Sequence, residues 1–187
     1  LVQKKGDWKK EFEEAEKLHN KAIKGDKEAA KKAYTILKQI KQVSLNDSKV
    51  EALYGSSSAL VARDQMDLIE KTNLAKRGLK SLDKAVATEP KNIDFRILRG
   101  NVAFRLPEMY FKRTKTAIED FEFLIKEYES KKTNLNSEQY YEFLLNLGTS
   151  YNTLGKSNEA EKVWNKLVKM NPSFKPIIEN VKRNGGE

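Results

Sequence analysis

The sequence predicts an all-α fold, a solenoid of about four helix-turn-helix repeats closed by a C-terminal capping helix. Three observations predict it. Apolar residues recur every three or four positions, the period of a helix with one buried face. Glycine and alanine fall inside those stripes at points suited to a close helix crossing. With four prolines and nine glycines in 187 residues, long helices are not heavily interrupted.

The first hairpin spans about 7–45. Trp8, Phe12, Ala15, Leu18, Ala22 and Ile23 make one stripe, Gly25-Asp26 turns the chain, and Ala29, Ala30, Ala33, Tyr34, Leu37 and Ile40 make the second. In the second hairpin, about 48–90, Leu53-Tyr54-Gly55 begins a helix that runs through Ala59, Leu60 and Ala62. Gly78, Leu79, Leu82, Ala85 and Val86 form its partner, which stops at Glu89-Pro90. The stretch 63–76 between them is long for a turn, so it is expected either to extend both helices or to add a short one.

In the third hairpin, about 92–130, Arg99, Gly100, Asn101, Ala103 and Phe104 belong to the first helix, and Ala117, Ile118, Asp120, Phe121, Leu124 and Ile125 to the second. An insertion, 106–115, separates them. Its Met109, Tyr110 and Phe111 are expected to tuck under the hairpin as added core; the alternative is an exposed apolar edge that grips a partner. The fourth hairpin, about 137–172, carries Leu144, Leu147, Tyr151 and Leu154, then Ala160, Val163, Trp164, Leu167 and Val168. Gly155 suits the left-handed conformation that ends a helix, and Ser157 or Asn158 is expected to cap the next one. Phe174, Pro176, Ile177, Ile178 and Val181 predict a capping helix over 174–183, with fraying from Lys182 onwards.

Leu147-Gly148, Tyr151, Gly155, Ala160, Trp164 and Pro172 resemble the tetratricopeptide repeat, a helical hairpin of roughly 34 residues. Arg99-Gly100-Asn101 with Ala103-Phe104, and Ala117-Ile118-Glu119-Asp120-Phe121, resemble a variant of the same unit. Gly25 to Ala30 with Tyr34 resemble its second helix, although the first helix of that pair lacks the glycine. The resemblance covers nearly the whole chain, read as a single tetratricopeptide-like domain over 1–187. It implies a right-handed stack with a concave surface lined by the first helix of each pair, and protein or peptide ligands held there.

In this sequence that lining would include Lys49 and Ser56 from the second hairpin, Asp94, Asn101 and Arg105 from the third, and Asn146, Thr149 and Asn152 from the fourth. Asparagine offers both donor and acceptor to a peptide backbone, and Arg105 could pair with a carboxylate. The full lysine/asparagine clamp with which well-known members capture a C-terminal carboxylate is not found. Arg96, Arg99, Arg105 and Arg113 fall in one hairpin, so an acidic segment is the natural ligand if their heads converge; otherwise Arg99 packs and the others face solvent.

Nothing in the chain points to chemistry. Cysteine is absent, which removes disulfides, thiol catalysis and cysteine–metal sites. His19 is the one histidine and reads as a surface or flank residue without a partner imidazole. Ser56-Ser57-Ser58 has no identifiable base, and small residues beside Gly55 are better explained by close helix packing. No enzyme activity, cofactor or metal is expected. The formal charge of +9 favours acidic partners, yet the lysines mix with glutamates as on a solvated face, so nucleic acid is not expected. Binding to nucleic acid or an anionic surface, and self-association without a separate ligand, stand as alternatives. No apolar run approaches the ~20 residues of a membrane span. The missing cysteine and a start at Leu1 lean towards a chain exported or anchored outside the cytoplasm.

Overall fold

The computed structural model of the chain describes residues 8–44 and 47–184. The last residues of the expected fray, 185–187, and the junction at 45–46 lie outside them. The described residues hold α-helices, one 3-10 turn and no strand. They group into two compact units, one ending at Arg99 and one starting at Gly100.

The first unit contains α1 (Lys9–Ile23), α2 (Lys27–Val43), α3 (Ser48–Arg63), α4 (Leu68–Thr88) and the start of α5 (Ile93–Arg105). Each junction has a local cause. Gly25 sits at φ +106, a conformation costly to any residue with a Cβ. Asp26 then caps α2, its carboxylate accepting the Ala29 N–H at 2.9 Å. Asp47 accepts from Lys49 and Val50 at the start of α3, and Asp67 from Glu70 at the start of α4. Because Asp67 places that cap, the long stretch 63–76 extends α4 at its N-terminal end and adds no helix of its own.

Helix α3 packs against α1, α2 and α4, and every residue from Val50 to Ser58 is buried. Such all-round burial is possible because the stretch is rich in small side chains. At the α3–α4 crossing Gly55 faces Gly78, and a Cβ on either would lie 2.7 or 2.6 Å from the other's carbonyl oxygen. Residues of α3 join two buried apolar clusters, Leu53 and Tyr54 with Ala33 and Leu37, and Ala52 with Ala85, Val86 and Phe95.

The second unit takes the rest of α5, then α6 (Glu108–Phe111), α7 (Thr114–Glu129), α8 (Ser137–Thr153), α9 (Ser157–Met170), a 3-10 turn at Pro172–Phe174 and α10 (Lys175–Arg183). A Cβ on Gly100 would stand 3.1 Å from Asp120 Cβ, and one on Gly148 would strike the Trp164 ring. The Gly148 crossing leaves no room for a side chain and the Gly100 crossing little, in keeping with the small residues that the tetratricopeptide resemblance implies. Gly155 ends α8 at φ +72. The cap that follows differs from expectation: Lys156 precedes α9 and no side chain there accepts a helix N–H. The C-terminal helix α10 begins one residue after Phe174 and keeps Lys182 and Arg183, expected to fray, in helical form; Ile178 is buried and Phe174 meets Tyr141 edge-on at 6.0 Å.

The insertion 106–115 corrects a second expectation. Met109 and Tyr110 are 76% and 73% exposed, so they add nothing to the core. Four residues cannot turn an apolar face inward and also finish on a left-handed Lys112 at φ 53. The insertion instead supplies Glu108, whose carboxylate accepts the Thr114 N–H at 2.8 Å and so caps α7 from outside the helix.

No helix among the described residues is long and apolar enough to cross a membrane.

Gly78→Ala separates the two effects that act at this crossing. Alanine gains about 1 kcal/mol of helix propensity, but its Cβ would press on a backbone oxygen that cannot swing aside. Overpacking costs about 1–3 kcal/mol and should win, so urea unfolding is expected to show a net loss of up to about 2 kcal/mol. An unchanged or raised midpoint would mean that α3 and α4 separate without cost.

Candidate functional site

The residues assigned to a ligand face on first helices fall into both units. In the first, Lys49 is exposed on the opening turn of α3 and Asp94 is exposed on the opening turn of α5. Ser56 is buried, and its hydroxyl lies 2.8 Å from His19 Nε2 on α1. In the second unit Arg105 is exposed at the end of α5, and Asn101 is half-buried on the same helix. On α8, Asn146 and Thr149 are largely covered and Asn152 is half-buried.

The hydroxyl of Thr149 donates to Leu145 O at 2.9 Å, a bond within its own helix turn. The amides of Asn101, Asn146 and Asn152 have no side-chain hydrogen bond to any described residue. None of these amide atoms is buried without a partner, so all three reach solvent and are open to a ligand.

The arginines serve different tasks. Arg99 is buried, with Nη1 3.4 Å from Asp83 Oδ1, and Arg96 Nε donates to Pro90 O at 2.9 Å. Arg105 is exposed on the last turn of α5.

His19 corrects the surface reading. It is 2% exposed and occupies the buried stripe of α1 between Ala15 and Ala22, while Ile23, expected in that stripe, is 47% exposed. The spacing of four and three along 15, 19 and 22 was visible in the sequence; a polar residue type hid it. Burial pushes the imidazole down to about 4, so it is neutral in the folded protein near neutral pH.

A second group went unnoticed in the sequence. Glu51 is buried on the first turn of α3. One carboxylate oxygen accepts from Lys84 at 3.0 Å, and the other from the Lys41 ammonium and from Ser81 Oγ at 2.7 Å. Lys41 also donates to Ser81 Oγ at 2.7 Å and stands 4.6 Å above the Tyr54 ring. Burial pushes the Glu51 carboxyl up, but the hydrogen bonds from Lys41, Ser81 and Lys84 outweigh it and hold it below the usual carboxylate range. Its signal was a single charge in an otherwise small or apolar run, Val50 to Ser58. No group of three or more histidine or carboxylate side chains that could hold a metal ion occurs among the described residues.

No family model and no curated protein matches the chain. The solved structure of MamA MSR-1 C2, a tetratricopeptide-like protein, matches it with a TM-score of 0.64, over 95% of this chain and 88% of that one. The fold is tetratricopeptide-like. At 16% identity the likeness concerns the fold alone. In tetratricopeptide-like terms, α1, α3, α5 and α8 are the first helices of hairpins, and the candidate residues of both units lie on them.

The His19–Ser56 pair predicts a pH effect with a definite sign. The folded value near 4 lies below the ~6.5 of an unfolded histidine, so between them the unfolded chain binds the extra proton. The contribution is complete above about pH 6.5 and is lost as pH falls towards 4, by on the order of 3 kcal/mol. Unfolding free energies of wild type and His19→Gln should therefore converge, in wild type's disfavour, across that window. A difference independent of pH would show that the imidazole is not buried neutral.

Proposed function

We propose that this protein is a non-catalytic interaction scaffold that binds a protein or peptide through the first helices of its hairpins. The observation that carries the reading is the set of unused amides of Asn101, Asn146 and Asn152. These amides reach solvent unpaired, and a peptide backbone supplies both the donor and the acceptor that an amide can bond. Arg105, exposed beside Asn101 on α5, adds a charged donor suited to an aspartate or glutamate. The preference is therefore for an acidic segment. The tetratricopeptide-like fold supports the reading, because consecutive hairpins present one face of each first helix to a ligand.

The test is a comparative capture from lysate with wild type and the triple variant Asn101→Ala, Arg105→Ala, Asn146→Ala, matched for thermal midpoint. Partners retained by wild type should fall at least tenfold on the variant, about 1.4 kcal/mol or more of binding. Equal recovery on both would remove these residues from the binding face.

A further inference from the structure

We propose that the cleft between α2 and α4 is a second binding site, for a peptide segment that carries a compact double negative charge. The charge could come from two neighbouring acidic side chains or from one phosphorylated side chain. The site shares no residue with the asparagine face and does not depend on it.

The cleft has a volume of about 340 Å³ and is lined by Lys41, Glu51, Arg77, Lys80, Ser81 and Lys84. Four cations thus surround one carboxylate. Glu51 lies at the bottom with both oxygens already engaged, so it fixes Lys41 and Lys84 in place and cancels only part of their charge. Arg77 is steadied from the side: its Nη1 donates to the Tyr34 hydroxyl at 3.0 Å, and Tyr34 is itself stacked on Tyr54 at 5.4 Å. A guanidinium has five donors, so most of its hydrogen-bonding capacity is left for a ligand. Lys80 is exposed and has no partner among the described residues. The nearest acidic residue in sequence, Asp83, pairs with Arg99.

This differs from the solvated charge elsewhere on the surface, where a lysine meets a glutamate one turn away, as in Lys31–Glu28 and Lys182–Glu179. Along α4 the cations recur at 77, 80 and 84, on one side of the helix. They span about 10 Å, which matches successive same-side residues of an extended peptide, about 7 Å apart, with side-chain reach to spare. A phosphorylated side chain brings about −1.5 to −2 charge and three acceptor oxygens to the same donors. A nucleic acid fits less well, because Tyr54 is buried and Tyr34 is stacked on it, so neither ring offers a free platform for a base.

The experiment uses fluorescein-labelled octapeptides with a central Glu-Ala-Glu, a central phosphoserine or a central Ala-Ala-Ala, titrated into the full chain at low salt. One of the two charged peptides should bind at least tenfold more tightly than the alanine peptide, and which one does identifies the source of the charge. Lys80→Glu should weaken that binding at least tenfold. Lys162→Glu, an exposed lysine of α9, makes the same change in net charge and should alter it less than twofold. Unchanged thermal midpoints would show that both variants are folded. Equal losses in the two variants would reduce the effect to overall charge and overturn the site, as would no charge preference among the peptides. A loss with Arg105→Ala but not with Lys80→Glu would place the peptide on α5 and also overturn it, leaving the asparagine-face reading intact.

Discussion

Everything in the first unit depends on two helices coming closer than side chains normally permit. Helices packed through ordinary residues stand 8–10 Å apart. Gly55 and Gly78 remove the side chain from both sides of one crossing, so backbone meets backbone there. The second unit meets the same constraint asymmetrically: Gly100 receives Asp120 and Phe121, and Gly148 receives the indole of Trp164. Where one side is bare the other can be large, and this is how Trp164 becomes almost fully buried while its N–H reaches Leu145 O at 3.4 Å.

Close approach brings polar groups inside. Since α3 is buried all round, any polar residue on it must find a partner in a neighbouring helix or remain unsatisfied. Ser56 finds His19 on α1, Ser58 donates to Leu74 O on α4 at 2.8 Å, and Glu51 draws in Lys41 and Lys84 from either side. Ser57 Oγ finds no partner. The bonds of Ser56, Ser58 and Glu51 tie α3 to α1, α2 and α4, with a directionality that apolar contact alone lacks. The basic cleft follows from the same logic: a buried carboxylate gathers lysines to its rim, and more cations gather than it can neutralise.

Helix periodicity made most of the architecture legible. The all-α helical fold follows from the stripes and turn residues, since period 3.6, glycine turns and Asp caps act locally. The failures were of two physical kinds. Met109 and Tyr110 were read as core because they are apolar, but a helix of four residues between a proline and a left-handed lysine has no room to bury them. His19 was read as a surface or flank residue and Glu51 drew no notice, because both are polar, although position in the helix outweighs residue type when a partner waits across the interface. The candidate ligand residues were legible only as positions on first helices. Whether a side chain is spent, as with Ser56, or spare, as with Asn146, is decided by neighbours distant in sequence.

The placement of sulfur has a consequence for durability. The chain has three methionines and no cysteine, and Met66, Met109 and Met170 are all exposed. Oxidants convert exposed methionine to the polar sulfoxide, a change that disrupts a core when it happens inside one. Here every such modification lands on the surface, and the packed interior of the described residues contains no sulfur.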